Sequence, residues 1–134
     1  MNYTCLDGTW KKQVHLYDRE GEPYTEWRNC KITEVPLNTL LDEYENIIYE
    51  LSEKEIQKHN LKETIFKQEQ EIIKNTDFNT LYGANNKDVR KSHLDQVLAD
   101  KYQEKIDLNF SIDYLKRYIG LLKEVVRSKR WQNE

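Results

Sequence analysis

The side chains that most often perform acid–base, nucleophilic or metal chemistry are few in this chain and far apart. The histidines are His15, His59 and His93, and the cysteines are Cys5 and Cys30. No CxxC, HExxH or phosphate-cradling glycine loop includes any of them. Cys5, His15 and Cys30 fall within one short segment, but three ligands at irregular spacing are weak evidence for zinc. We therefore expect a protein that is not an enzyme and uses no cofactor and no metal.

A polar segment with aromatic residues, from residue 75 to residue 86, offers better chemistry for binding a partner. Aromatic and arginine side chains supply many of the strongest contacts in protein interfaces. The free N–H groups where the next helix would start can also attract anions. The predicted partner-binding residues are Phe78, Tyr82, Asn85, Asn86, Arg90 and Lys91. The alternative is that Phe78, Leu81 and Tyr82 only close the end of a helical hairpin.

Two oppositely charged segments suggest further surfaces. The acidic residues that could imitate nucleic-acid phosphates are Asp42, Glu43, Glu45, Glu50, Glu53 and Glu55. The basic segment covers residues 116–130, and its last run, Arg127-Ser128-Lys129-Arg130-Trp131, is one of two places that could bind nucleic acid. The other is the tip, where Phe78 and Tyr82 could stack on bases. An antiparallel hairpin would place the two segments side by side and neutralise both. Because the net charge is only −3, no overall field favours nucleic acid, which remains an unfavoured but open partner.

The distribution of prolines and glycines indicates how these segments are positioned. Both prolines and two of the four glycines lie within the first 36 residues. Residues 1–35 therefore read as an antiparallel β meander with strands at about 2–6, 9–17 and 24–33, in which Asp7-Gly8 is a favoured hairpin turn. Residues 36–134 read as a coiled-coil-like helical hairpin because proline is absent beyond Pro36. Its helices cover about 37–74 and 87–131, with the tip at 75–86. The predicted fold class is α+β.

Apolar spacing supports the hairpin. One helix carries Leu37, Leu41, Tyr44, Ile48 and Leu51 at alternating steps of four and three, and the other carries Leu108, Ile112, Leu115, Ile119, Leu122 and Val126. A register with residue 74 opposite residue 88 pairs these two rows. Between Ser52 and Asn60 the only apolar residue is Ile56. We favour a continuous solvated helix there over a break, although two capping-box patterns leave the break open.

A second apolar stripe on the last helix needs cover from another surface. Its members, the predicted oligomer interface, are Phe110, Tyr114, Tyr118, Leu121 and Val125. One partner helix cannot cover both stripes, so either the β lobe or a second copy of the chain must do so. A homodimer is therefore one of the two expected arrangements.

The N-terminus lacks a basic segment followed by an apolar one, and no uncharged run is long enough for a membrane span. We expect a cytoplasmic protein without a membrane partner, in a compartment where both cysteines stay reduced.

The segment Leu81-Tyr82-Gly83-Ala84-Asn85-Asn86-Lys87-Asp88-Val89-Arg90, with the later Tyr114-Leu115-Lys116-Arg117, resembles short helical-hairpin accessory proteins from bacteriophages of Gram-positive bacteria. The resemblance covers about residues 77–130 and does not extend to the β lobe. It implies a small accessory that binds a host or phage protein in the bacterial cytoplasm, such as an inhibitor of a defence nuclease.

These observations favour a non-enzymatic protein-binding module. The leading hypothesis is a phage-encoded inhibitor of a bacterial defence system, such as an anti-CRISPR protein whose partner is a CRISPR effector. The alternatives are a nucleic-acid-binding accessory protein and a structural oligomerisation module.

Overall fold

The fold is α+β, as the sequence predicts: a small antiparallel sheet precedes long helices. A computed structural model describes residues 2–132. The strands are β1 (Tyr3–Leu6), β2 (Thr9–Tyr17) and β3 (Pro23–Asn29), and a short 3₁₀ helix covers Ile32–Glu34. The helices are α1 (Leu37–Asn75), α2 (Phe78–Tyr82), α3 (Lys87–Val97) and α4 (Ala99–Gln132).

The sheet is a meander in the order β1-β2-β3. Asp7 and Gly8 join β1 to β2, and both have positive φ, 52° and 79°. Two consecutive residues of positive φ match the right-handed twist of the strands, which is why Asp-Gly is favoured there. The pairing places Cys5 opposite Trp10, and the backbone N–H of Cys30 donates to the carbonyl of Trp10. The two cysteines therefore flank Trp10, Cys5 on β1 and Cys30 just after the end of β3.

The turn between β2 and β3 is closed by one side chain. Asp18 Oδ1 accepts hydrogen bonds from the backbone N–H groups of Glu20 and Glu22, at 2.8 and 2.9 Å. Such local bonds are the usual reason for Asp in turns.

β3 ends at Asn29, four residues before the predicted end, because the chain then turns into the 3₁₀ helix. The Glu34 carboxylate accepts a bond from the backbone N–H of Lys31 at 2.7 Å, and this bond is the main reason that the pKa of Glu34 is lowered. The carbonyl of Pro36 then accepts from Leu40 N–H, which begins α1.

α1 is one continuous helix, so the favoured interpretation of residues 52–60 is confirmed. His59 and Glu63 form an ion pair of 3.3 Å on this helix, and Thr64 Oγ1 donates to the carbonyl of Asn60. The second helical stretch differs from the prediction, because it divides into α3 and α4 at Leu98. No proline or glycine marks this position in the sequence. The N–H of Leu98 still bonds to Leu94, and its carbonyl accepts from Tyr102.

The described chain packs as two compact units. Unit 1 combines residues 1–49 and 116–134, and unit 2 covers residues 50–115. These units do not coincide with the predicted division into a β lobe of residues 1–35 and a helical hairpin of residues 36–134, which stays a prediction.

The core of unit 1 contains residues from the sheet and from both long helices. Its buried members are Trp10, Val35, Leu40, Ile47, Tyr118, Ile119, Leu122 and Val126. The α4 row matches the predicted seam, but the α1 row is rotated: Leu40 and Ile47 are buried, whereas Ile48 is exposed. The sheet explains part of the difference, since it adds a second surface to which the helices must turn an apolar side.

Unit 2 buries Leu61, Ile65, Phe78, Leu94, Leu98, Ile112 and Leu115. Its long helices are linked by a 3.0 Å hydrogen bond from Tyr102 Oη to Glu69 Oε2. The predicted register places Glu69 opposite about residue 93, so the observed alignment is shifted by more than two turns here. The shift follows from the tip, where α2 and α3 take up more chain than a simple loop. No helix within residues 2–132 has both the length and the apolar character needed to cross a bilayer.

Candidate functional site

The tip of unit 2 contains the predicted partner-binding residues. Its two short helices, α2 and α3, each follow a residue whose side chain caps the helix. Asp77 accepts bonds from the backbone N–H and the hydroxyl of Thr80, at 3.2 and 2.7 Å. The hydroxyl bond is the main cause of the lowered pKa of Asp77. Gly83 ends α2 in the left-handed conformation with φ 73°, and its N–H donates to Asn79. Asn86 Oδ1 accepts from Val89 N–H and caps α3.

Three aromatic rings, the tip cluster of Phe78, Tyr82 and His93, hold α2 against α3. Phe78 is 1% exposed and meets the edge of the His93 ring at a centroid distance of 5.4 Å. Tyr82 stacks on Phe78, and its Oη lies 2.6 Å from His93 Nδ1, where the two share a hydrogen bond. His93 was not among the predicted binding residues. Its spacing of eleven residues from Tyr82 gives no local signal of this contact.

Most of the predicted binding residues therefore have roles inside the tip. Phe78 is core, and Asn86 is a helix cap. Arg90 Nη1 donates to the side-chain and backbone oxygens of Asn85, at 2.9 and 3.3 Å. Tyr82 is partly exposed although hydrogen-bonded, and Lys91 is exposed.

The residue that the prediction omitted is Leu81, whose side chain is 62% exposed beside Tyr82. An exposed leucine on a short helix with both ends fixed has no evident structural use. In the sequence, Leu81 entered only the alternative in which it closes the hairpin, because periodicity alone cannot tell which side of a helix of five residues faces the core.

The acidic residues of α1 fall into both units. Asp42 and Glu45 belong to unit 1, and Glu50 and Glu53 belong to unit 2. None of these four forms an ion pair within residues 2–132. The remaining two, Glu43 and Glu55, each take part in an interaction within the chain.

A second candidate site lies in unit 1, where α1 and α4 leave a groove of about 440 Å³. We name it the basic groove, and its lining residues are Leu41, Tyr44, Lys123, Val126, Arg127, Arg130 and Trp131. Trp131 is 75% exposed. The predicted neutralisation of the basic segment by acidic α1 residues does not occur here. In the part of the chain that the structure describes, no carboxylate pairs with Lys123, Arg127 or Arg130.

The acidic residues on this stretch of α1 do not line the groove. Leu41 and Tyr44 line it, whereas Asp42 and Glu45, each one position later, are exposed and lie outside the lining. Lys129, on the same stretch of α4, instead donates to the backbone carbonyl of Thr33 at 2.7 Å.

The predicted oligomer stripe is only partly available to a second copy. Tyr118 is buried, 7% exposed, because its phenol lies against Cys5 of the sheet. Phe110 and Tyr114 in unit 2 are exposed, as is Leu121 in unit 1, and Val125 is half-buried. The sheet therefore covers Tyr118 within the chain, and the oligomer interface and the homodimer stay predictions.

The cysteines do not form a metal site with His15. Cys5 is paired with Trp10, and Trp10 and His15 are five positions apart along β2, an odd number, so His15 lies on the opposite face of the sheet. Among residues 2–132, no cluster of three potential metal-ligating side chains is present. Burial raises the pKa of the Cys5 thiol, which lies against Tyr118 of α4, and also the pKa of the Cys30 thiol. A raised pKa reduces the reactive thiolate fraction.

Comparisons of the chain with protein-family models, with curated proteins and with solved structures found no match.

Proposed function

We propose that this chain is a non-enzymatic protein-binding module that presents the tip of unit 2 to a bacterial host or phage protein. The observation that supports this most directly is the exposed Leu81 beside Tyr82, on a helix fixed at both ends. A surface held in one conformation loses little entropy on binding, so even a small apolar contact can contribute to affinity.

The internal bonds of the tip are compatible with this function. The Tyr82–His93 hydrogen bond fixes the ring of Tyr82 while leaving it partly exposed. Arg90, held by Asn85, also keeps the loop before α3 in place. In this proposal the residues of the tip act in two ways. Phe78, Asn85, Asn86 and Arg90 maintain its structure, whereas Tyr82, Lys91 and the additional residue Leu81 contact the partner.

The specific role that we propose is inhibition of a bacterial defence system in the cytoplasm of the host, with a CRISPR effector as the leading target. The resemblance of residues 77–130 to phage accessory proteins suggests this role. The acids Asp42, Glu45, Glu50 and Glu53, which form no ion pair within residues 2–132, also support it, because such carboxylates can occupy a site that normally holds nucleic-acid phosphates.

The test is a phage-challenge assay in a Gram-positive host that carries an active CRISPR system. Expression of the unaltered chain should restore plaque formation by a targeted phage. Leu81→Asp should abolish the restoration, because a charge replaces the proposed apolar contact without touching an internal bond. Its matched control is Phe66→Asp, since Phe66 is 61% exposed on α1 of the same unit.

Tyr82→Phe separates the structural role of the Tyr82–His93 hydrogen bond from the contact of the Tyr82 ring with the partner, because it removes the bond but keeps the ring. Circular dichroism and the melting temperature should show that Leu81→Asp folds normally. If Leu81→Asp inhibits as well as the unaltered chain, the tip is only a structural closure. If the unaltered chain fails to protect the phage against a panel of defence systems, the inhibitor role is wrong.

A further inference from the structure

The basic groove of unit 1 combines two chemical features that the proposed tip contact does not use. Its lining includes the apolar residues Leu41 and Val126 and the aromatic residue Tyr44. Three cationic side chains and the indole of Trp131 complete the lining. The site therefore offers apolar contact, aromatic faces and positive charge within one concave surface.

The cations are arranged as a stripe along α4. Lys123, Arg127 and Arg130 follow each other at steps of four and three residues, which places them on one side of the helix. Within the described chain they have no carboxylate partner, unlike Lys12, which pairs with Glu34 in the same unit. Three unpaired cations beside one groove repel each other, and an anionic ligand would relieve that repulsion.

The aromatic residues narrow the chemistry of that ligand. Trp131 is 75% exposed although it lines the basic groove beside apolar residues. Flat aromatic side chains beside a positively charged groove are the usual means of binding single-stranded nucleic acid, since every base offers a face for stacking. Bases in a duplex are already stacked and paired, so a duplex could not use Trp131 or Tyr44 in this way.

We propose that the basic groove binds single-stranded nucleic acid, with one base against Trp131 or Tyr44 and the adjoining phosphates on Lys123, Arg127 and Arg130. Leu41 and Val126 contact the sugar and the edge of the base. This activity is separate from the proposed protein partner, because it lies in unit 1 and uses none of the tip residues. The overall charge of −3 restricts it to this local surface and predicts weak binding.

The test measures the anisotropy of a fluorescein-labelled oligothymidylate of about ten nucleotides, a length within the range that single-strand sites cover. We expect a dissociation constant on the order of 1–100 μM, typical of non-specific contacts. Because about 0.7 counterions are released per phosphate contact on single strands, three cations predict a slope of about −2 for log K against log salt concentration.

Variants locate the site. Arg127→Gln with Arg130→Gln should reduce the salt slope by more than half and weaken binding at least tenfold. Trp131→Leu keeps apolar surface but removes the flat ring, and it should weaken binding roughly tenfold at an unchanged salt slope. The matched control is Lys87→Gln with Lys91→Gln, which removes two exposed cations at the tip of unit 2. It should leave the affinity unchanged.

Each contrary outcome overturns the proposal. If the oligonucleotide does not bind, or if the Lys87 and Lys91 pair is needed instead, the basic groove is not the site. If polyglutamate of the same length competes as well as unlabelled oligothymidylate, the groove accepts acidic peptides. If thymidine monophosphate binds as tightly as the oligonucleotide, the ligand is a free nucleotide.

Discussion

The thiol of Cys5 and the phenol of Tyr118 lie 3.1 Å apart and share a hydrogen bond that joins β1 to α4. The two residues are 113 positions apart in the chain. Burial raises the pKa of Tyr118, and the bond to Cys5 raises it further. The Trp10 indole N–H is also buried there without a well-aligned partner, yet it lies close enough to Tyr118 to lower this pKa slightly.

Tyr118→Phe should destabilise the protein by about 1 kcal/mol, because it removes the hydroxyl from a buried polar contact without changing the ring. Urea denaturation at neutral pH measures this difference. Tyr17→Phe is the control, since Tyr17 is 74% exposed on the sheet and should change stability by less than about 0.5 kcal/mol. Equal effects of the two substitutions would show that the contact with Cys5 contributes nothing to stability.

Alkaline pH should weaken unit 2 through Tyr102. Burial, followed by the bond to Glu69, raises the pKa of Tyr102 to about 12, whereas an unfolded tyrosine titrates near 10. The folded chain therefore holds the phenolic proton more tightly. The associated stability is fully present below about pH 10 and is lost as the pH rises through about 12.

Tyr102→Phe tests this assignment. The variant should lose less stability than the unaltered chain between about pH 10 and pH 12, as measured by urea midpoints along a pH series. The Tyr17→Phe chain serves again as the comparison, since it also lacks one phenol. Parallel pH profiles for all three chains would mean that another group controls the alkaline transition.

Gly120→Ala should stabilise unit 1. Gly120 is an exposed interior residue of α4, and a Cβ atom built there meets nothing within 4 Å. Alanine in a helix interior is favoured over glycine by about 0.5–1 kcal/mol. A higher urea midpoint with an unchanged slope would agree with this reasoning. A lower midpoint would show that a close contact, such as one with a second copy, needs the glycine.

A homodimer through the exposed apolar residues of α4 remains a prediction. Phe110 is 71% exposed and Leu121 is 49% exposed, and both belong to the predicted apolar stripe. Light scattering at micromolar concentration should give about twice the chain mass of 16.3 kDa. Phe110→Asp should restore the monomer, whereas Phe66→Asp should not. If light scattering shows that the unaltered chain is a monomer, the predicted interface is contradicted and the exposed stripe faces solvent.

The parts of the fold that follow local rules could be predicted from the sequence. The Asp7-Gly8 turn needs only backbone geometry, and the start of α1 after Pro36 follows from proline chemistry. The end of β3 was missed because the Glu34 carboxylate bonds back to Lys31, a contact that strand propensity does not report. Leu98 could not be recognised as a break because its neighbours, Val97 and Ala99, carry no helix-stopping signal.

The candidate sites were harder to predict because they depend on which way side chains face. Counting charges in residues 37–55 and 116–130 suggested mutual neutralisation. In the structure Asp42 and Glu45 do not line the groove, and Arg127 and Arg130 have no acidic partners in the described chain. At the tip, composition identified the right segment, but it could not separate Phe78 in the core from Leu81 in solvent.

The three tryptophans allow unfolding and binding to be followed by fluorescence. Trp10 is 3% exposed within the core of unit 1, Trp27 is 47% exposed on the sheet, and Trp131 lines the basic groove. Because a buried indole emits at shorter wavelength and resists quenching by iodide, the intact protein should show one protected and two quenchable emission components. Unfolding would shift the protected component to longer wavelength, whereas filling of the groove would act on Trp131 alone.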